Sequence, residues 1–269
     1  MSNNSKPEIS MILPSIRVNK IAELYDSLCK STKRTFELII VSPYPVDSFI
    51  LQNKNIKYIR DFGSPVRAQN IALMHAEGKY LTWWADDVIL LPGMIDKHID
   101  LLISMGPDFK NVVIAKYQEG QENSDDRKKI HHDDYFKIRA GPAASPYFDP
   151  EWWLFNVAFM HTTLAEALGG WNCEYEATWV SHTDMAVRAQ ACGANVRMSG
   201  ESIMVVDHMP GITGDHAPIH YAQEEHDVPL FNQKYYQPDW HQKLPMQLDI
   251  MNWKKSPAIW NRRFQQEEK

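Results

Sequence analysis

Apolar positions along the chain follow two alternating rhythms, one of short continuous runs and one of helical spacing. Ile9 to Leu13 is a short apolar run, broken only by the small Ser10, of the kind that fits a strand buried on both faces, and Pro14 stops it. Ile21, Leu24, Tyr25 and Leu28 then recur at helical spacing within Asn19 to Lys30, and Phe36 to Val41 returns to a β-rich run. A third strand is expected over Ile56 to Arg60. Ser64-Pro65 follows as a cap residue with proline in the first helical position, predicting a helix that ends at Gly78. Lys79 to Trp84 reads as a fourth strand, Pro92 to Met105 as a helix and Asn111 to Lys116 as another strand.

From Gln118 to Pro150 the pattern gives way to polar, Gly- and Pro-containing sequence, longer than most loops of a compact domain. Regular signals resume with an apolar run over Leu154 to Met160, and a helix over Thr163 to Leu168 is closed by Gly169-Gly170. A helix over Thr183 to Cys192 is closed by Gly193, and Ile203 to Val206 reads as a last strand. After His208 no clear periodicity remains. The alternation predicts an α/β fold: a mostly parallel, Rossmann-like sheet flanked by helices.

Composition narrows the function classes. With 44% hydrophobic and 23% charged residues the chain has an ordinary globular make-up, and a net charge of −6 argues against nucleic acid as the main partner. Nine Trp and eleven Tyr are a generous supply of flat surfaces for sugars or bases. Cys29, Cys173 and Cys192 have no close pairing pattern, so neither a disulfide framework nor a cysteine zinc site is supported, and a reducing cytoplasm is expected. The amino terminus has no signal-peptide core, and no apolar run is long enough to span a membrane.

Candidate chemistry gathers at strand carboxyl ends, where open α/β sheets bind ligands. The fourth strand ends in Asp86-Asp87, two hard oxygen donors suited to Mn²⁺ or Mg²⁺ carrying a phosphate. The first strand ends in Pro14-Ser15-Ile16-Arg17, and Arg67 and Asn70 lie on one face of the helix that opens at Ser64. Neither Gly-x-Gly-x-x-Gly nor Gly-x-x-x-x-Gly-Lys-Ser/Thr is present, which excludes the familiar phosphate loops. His216, His220 and Glu224 are four apart, a zinc-like spacing that Pro218 weakens, and His131-His132-Asp133-Asp134 reads as a solvated stretch of the long loop.

These pieces together resemble glycosyltransferase family 2, the nucleotide-sugar enzymes of GT-A fold. Ile-Ser-Met-Ile-Leu-Pro-Ser is similar to the family's first strand, and Val66 to Leu81 is similar to its Ala-Arg-Asn-x-Gly…Ala-x-Gly-x-Tyr segment. Trp84-Ala85-Asp86-Asp87 falls at the Asp-x-Asp motif. Leu168 to Asn172 is similar to the Gly-Gly-Phe-Asp turn, and Asp184 to Arg188 to the end of the Glu-Asp-x-Asp-Leu-x-x-Arg helix. The resemblance covers about residues 8 to 208. It implies a GT-A domain over residues 1–211, with a nucleotide-binding half (1–116), a long loop (117–150) and an acceptor and catalytic half (151–211) where the sheet becomes mixed; residues 212–269 are an extension packed on the same domain.

The implied activity is metal-dependent transfer of a sugar from a UDP- or GDP-linked donor to a hydroxyl acceptor, with inversion as the family default. Pro14, Ser15, Arg17, Arg67, Asn70 and Asp86 are the implied donor contacts, Asp87, Asp86 and His208 the metal ligands, and Trp152, Trp153 and His216 acceptor-side candidates. The chain departs from the pattern in three places. Trp84 replaces the first Asp, Ser181-His182 replace the acidic pair, and the second strand ends in Val41-Ser42-Pro43-Tyr44 without an acidic residue for the base. The catalytic base therefore falls to Asp184 or His182, with Asp184 favoured. A non-catalytic nucleotide-sugar or glycan binding module, and a nucleotidyltransferase on a related fold, are the alternatives.

Overall fold

The computed structural model describes residues 6–119, 137–139, 151–206, 214–237 and 239–264. The first half alternates as the apolar rhythm predicts: β1 (Ile9–Pro14), α1 (Ile21–Ser31), β2 (Phe36–Ser42), α2 (Ser48–Leu51), β3 (Ile56–Arg60), α3 (Pro65–Leu73), β4 (Tyr80–Trp83), β5 (Val88–Leu90), α4 (Met94–Ser104) and β6 (Asn111–Glu119). The second half adds β7 (Lys137–Arg139), β8 (Glu151–Trp153), β9 (Ala158–His161), α5 (Thr162–Ala167), α6 (Thr178–Ala191) and β10 (Asn195–Val206). Four further helices follow: α7 (Ala217–Ala222), a π-helical turn (Gln223–Asp227), α8 (Val228–Tyr235) and α9 (Trp240–Lys243).

Eight strands form one sheet in the order β3-β2-β1-β4-β9-β6-β10-β5. The β3-β2-β1-β4 side is parallel throughout, while β9 runs antiparallel to β4 and β6, and β5 antiparallel to β10. The sheet is thus mostly parallel and becomes mixed in its second half, the arrangement the sequence implies. Strand β1 sits at the centre of the parallel half, its Ile9, Met11, Ile12 and Leu13 fully buried, which is why it carries no polar alternation. Helix α3 lies against β1 and β2, while α1 turns its buried stripe Ile21, Leu24 and Leu28 inward beside β5.

Boundaries shift where tertiary contacts compete with local pattern. Helix α3 opens as expected, with Ser64 Oγ accepting from Arg67 N at 3.3 Å, but it ends at Leu73 rather than Gly78. The backbone N–H of Glu77 donates to Glu37 Oε1 and that of Gly78 to Ser10 Oγ, tying this stretch to β1 and β2. A Cβ on Gly78 would stand 2.5 Å from Ser10 N, so the close approach requires glycine. Helix α4 starts at Met94, after Gly93 at φ 72°, not at Pro92. Of the apolar run over Leu154 to Met160 only Ala158 to Met160 is strand, in β9, and β10 begins eight residues before the expected start at Ile203. Helix α6 begins at Thr178, so His182 and Asp184 lie within it rather than at its start.

The segment after residue 214 is tied by polar contacts to the stretch before α6 and to the loop after β3. Asp227, fully buried, accepts from the backbone N–H groups of Glu176 and Ala177 and so fixes the chain where it enters α6. Asn252 bonds Gly169 O and Cys173 N, and Trp260 N donates to Phe62 O at 2.8 Å. No helix among the described residues is long and apolar enough to cross a membrane.

Candidate active site

The carboxyl ends of β1 and β4, the start of α3, the first turns of α6 and the segment after residue 214 enclose one cleft of about 580 Å³. Asp86 and Asp87 form the turn between β4 and β5, and both are buried. Parallel pairing of β4 with β1 sets this turn beside the loop after Pro14. Asp86 Oδ2 accepts from Ser15 Oγ at 3.0 Å, Ile16 N at 2.9 Å and Arg17 N at 2.8 Å, and Oδ1 takes Arg17 Nη1 at 2.9 Å. Its oxygens are therefore spent on shaping the residue 15–17 loop, a structural task that the sequence expectation of a metal or ribose ligand omitted.

Asp87 is differently placed. Its Oδ2 meets Arg17 Nη1 at 3.1 Å and His216 Nε2 at 3.7 Å, while its Oδ1 is buried without a hydrogen-bond partner. Burial raises its pKa above the ordinary carboxylate value, with the Arg17 charge opposing. A hard, buried, unpartnered oxygen on a residue that lines a charged cleft fits a divalent cation. Among the described residues no group of three His, Cys, Asp or Glu side chains converges, including His216, His220 and Glu224. His208 lies outside the described residues, as do His131, His132, Asp133 and Asp134.

Arg17 is the hub of the cleft. Besides Asp86 and Asp87, its Nε donates to Asp215 Oδ2 at 2.8 Å and its Nη2 lies 2.9 Å from His216 Nε2, which joins the β1 loop to the C-terminal segment.

Helix α3 presents different residues to the cleft than expected. Pro65, Ala68 and Gln69 line it, whereas Arg67 and Asn70 do not. Arg67 bonds Asp61 through Nε at 3.1 Å, donates to Trp253 O and Ser256 O, and lies over the Trp253 ring at 4.9 Å. Asn70 donates to Trp171 O and accepts from Trp171 N, holding the Gly169-Gly170 turn; a Cβ on Gly170 would fall 2.1 Å from Asn70 Oδ1. The two residues expected as donor contacts thus bond other parts of the chain and lie off the cleft lining. At about 100° per residue, the face presenting Ala68 and Gln69 cannot also present Asn70.

The same logic separates Asp184 from His182 on α6. Asp184 is buried, accepts from Arg188 Nε at 2.7 Å and Tyr235 Oη at 2.7 Å, and does not line the cleft. Arg188 in turn donates to Leu168 O and Gly170 O. The carboxylate expected as base is thus, in this structure, one half of a buried ion pair. His182 does line the cleft. Its Nε2 lies 2.8 Å from Gln69 Nε2, an amide whose orientation sets the ring tautomer, and its Nδ1 is buried without a partner. Burial beside Trp83 and Trp171 pushes its pKa down to about 3, keeping the imidazole neutral.

On the acceptor side, His216 lines the cleft but Trp152 and Trp153 do not. Trp152 packs edge-on against Trp240, tying β8 to α9, and the Trp153 backbone exchanges hydrogen bonds with Gln190, tying it to α6. Trp179, 39% exposed, lines the cleft one helical turn before His182, together with the more buried Trp83, Trp84 and Trp260. Sequence reasoning missed it because the helix was expected to start after it.

The profile of the family described as glycosyl transferase family 2 matches residues 10–163, more than half of the 269 residues. The chain belongs to this family. No curated protein sequence matches the chain. Among solved structures, the family 2 chain is similar to residues 1–349 of S. aureus TarS (TM-score 0.53, 19% identity over 73% of this chain and 59% of that one). It is also similar to that TarS fragment in complex with UDP (TM-score 0.56, 17% identity, 81% and 70% covered) and with UDP-GlcNAc (TM-score 0.57, 17% identity, 91% and 72% covered). At these identities the likeness concerns the fold, and the family 2 chain spans only 59% of the first of these structures.

Proposed function

We propose that the protein transfers a sugar from a nucleoside-diphosphate donor, UDP-linked in the first instance, to a hydroxyl of an acceptor. What carries this reading is one cleft that joins the residue 14–17 loop, Asp87 and the imidazole of His182 in a family 2 chain. UDP and UDP-GlcNAc bound to the similar TarS fragment support the choice of donor. The diphosphate is held near the Asp86–Asp87 turn, where Arg17 supplies positive charge and backbone rigidity. Asp87, with its unpartnered oxygen, would hold a Mn²⁺ or Mg²⁺ ion, and such an ion offsets the charge that develops on the leaving diphosphate.

The acceptor enters past Trp179, and the unpartnered Nδ1 of His182 takes its hydroxyl proton, with attack from the face opposite the diphosphate and inversion at the anomeric carbon. A neutral imidazole of depressed basicity is a weak base; the negative donor entering the same cleft raises its proton affinity. Gln69 orients the ring. The test is turnover of a panel of UDP- and GDP-sugars with Mn²⁺, Mg²⁺ or chelator. Cation-dependent release of nucleoside diphosphate, lost in Asp87→Ala, is expected, whereas failure of every donor to bind refutes the reading.

One observation favours non-catalytic nucleotide-sugar binding as a second reading: the deep desolvation that weakens His182 as a base. Tight donor binding without turnover, unchanged by added acceptors, would establish it.

A further inference from the structure

Among the charged groups that line the cleft, Arg17 is fully engaged, bonded to Asp86, Asp87 and Asp215. Arg263 is not. Its Nη2 donates to the backbone carbonyl of Asp215, and among the described residues it forms no ion pair. A guanidinium carries five N–H donors in a planar fork, so one carbonyl leaves most of them unused. Burial lowers the Arg263 pKa, partly opposed by the Asp215 charge, and Arg17 repels it. A half-desolvated cation beside a second one is stabilised by an anion placed between them.

The position of Arg263 is well held. Trp260 N donates to Phe62 O, Arg263 N to Trp260 O, and the Phe264 ring meets Phe62 edge-on at 5.5 Å. The guanidinium thus lines the same cleft as Asp86 and Arg17, and it shares Asp215 with Arg17, one bonded to the backbone carbonyl and the other to the carboxylate. Arg262, its neighbour, is spent on Glu176 and Glu225 outside the cleft.

We propose that Arg263 is a diphosphate-binding residue of the donor site, contributed by the C-terminal segment well beyond residue 163, where the family profile ends. The fork takes two phosphate oxygens while Arg17 faces the same group from the β1 loop. The inference rests on the glycosyl-transfer reading above.

The test is calorimetric titration of the full chain with inorganic pyrophosphate, UDP and uridine, in wild type, Arg263→Ala, Arg263→Gln and Arg262→Ala. Arg263→Ala and Arg263→Gln should weaken pyrophosphate and UDP by roughly tenfold to a hundredfold, the scale of one charged hydrogen-bonding group, and leave uridine unchanged. Arg262→Ala removes the same formal charge and should bind all three as wild type does. Arg263→Gln keeps a donor toward Asp215 O, so it separates charge from folding. Equal binding of pyrophosphate by wild type and both Arg263 variants overturns the proposal while leaving glycosyl transfer standing, and so does a uridine loss that matches the UDP loss. If wild type binds neither UDP nor pyrophosphate, the donor reading itself fails.

Discussion

Replacing Asp184 by Asn separates a structural carboxylate from a catalytic one. The side chain is nearly isosteric, yet it removes the charge that faces Arg188 across 2.7 Å in a pair whose side chains are 3% and 2% exposed. Breaking one side of a buried ion pair costs about 3–5 kcal/mol, because the remaining charge stays desolvated. Arg188 keeps its bonds to Leu168 O and Gly170 O, and Asn can still accept from Tyr235 Oη, which places the expected loss near the lower end, about 3 kcal/mol. For a chain of this size that lowers the melting temperature by roughly 6–12 °C. Thermal unfolding followed by circular dichroism measures it, and donor turnover below the transition should stay within about threefold of wild type, since Asp184 does not line the cleft. Asp184→Asn combined with Arg188→Met should recover part of the loss, because both charges leave together. The reasoning is refuted if Asp184→Asn melts with the wild type while turnover drops a hundredfold or more.

Three other outcomes follow from the site. His182→Asn should lower turnover, measured below its own melting transition, by about a hundredfold or more without altering UDP affinity; equal turnover would remove His182 from the reaction. The His182 imidazole, with a folded-state pKa near 3 against an unfolded value near 6.5, stays neutral as pH falls through 6.5, so the unfolded chain takes up the proton first and stability declines below that pH. An NMR titration showing that ring protonated near pH 6.5 in the folded protein contradicts this. Trp179→Ala should raise the acceptor KM by about tenfold and leave the donor KM alone; the reverse split would place Trp179 on the donor side.

Short-range information in the chain determined a good deal. Short apolar runs such as Ile9 to Leu13 and helical stripes such as Ile21, Leu24 and Leu28 specify buried parallel strands and covering helices, because period and burial are properties of neighbouring residues. The Ser64-Pro65 start of α3 and the carboxylate turn after β4 were legible for the same reason: caps and turns are made by residues close in sequence. What the linear chain left open was the partner of each polar side chain. Asp86 closes on residues 15–17 from 71 to 69 positions away, Asn70 on Trp171 from 101 away and Arg67 on Trp253 from 186 away. Those bonds engage residues expected to contact the donor. The choice between His182 and Asp184 depended on Tyr235, Arg188 and the direction each residue faces from a helix whose start was misplaced. A side chain's chemistry is local, but whether it stays free to meet a ligand is decided by which distant groups satisfy it first, and only the packed structure settles that competition.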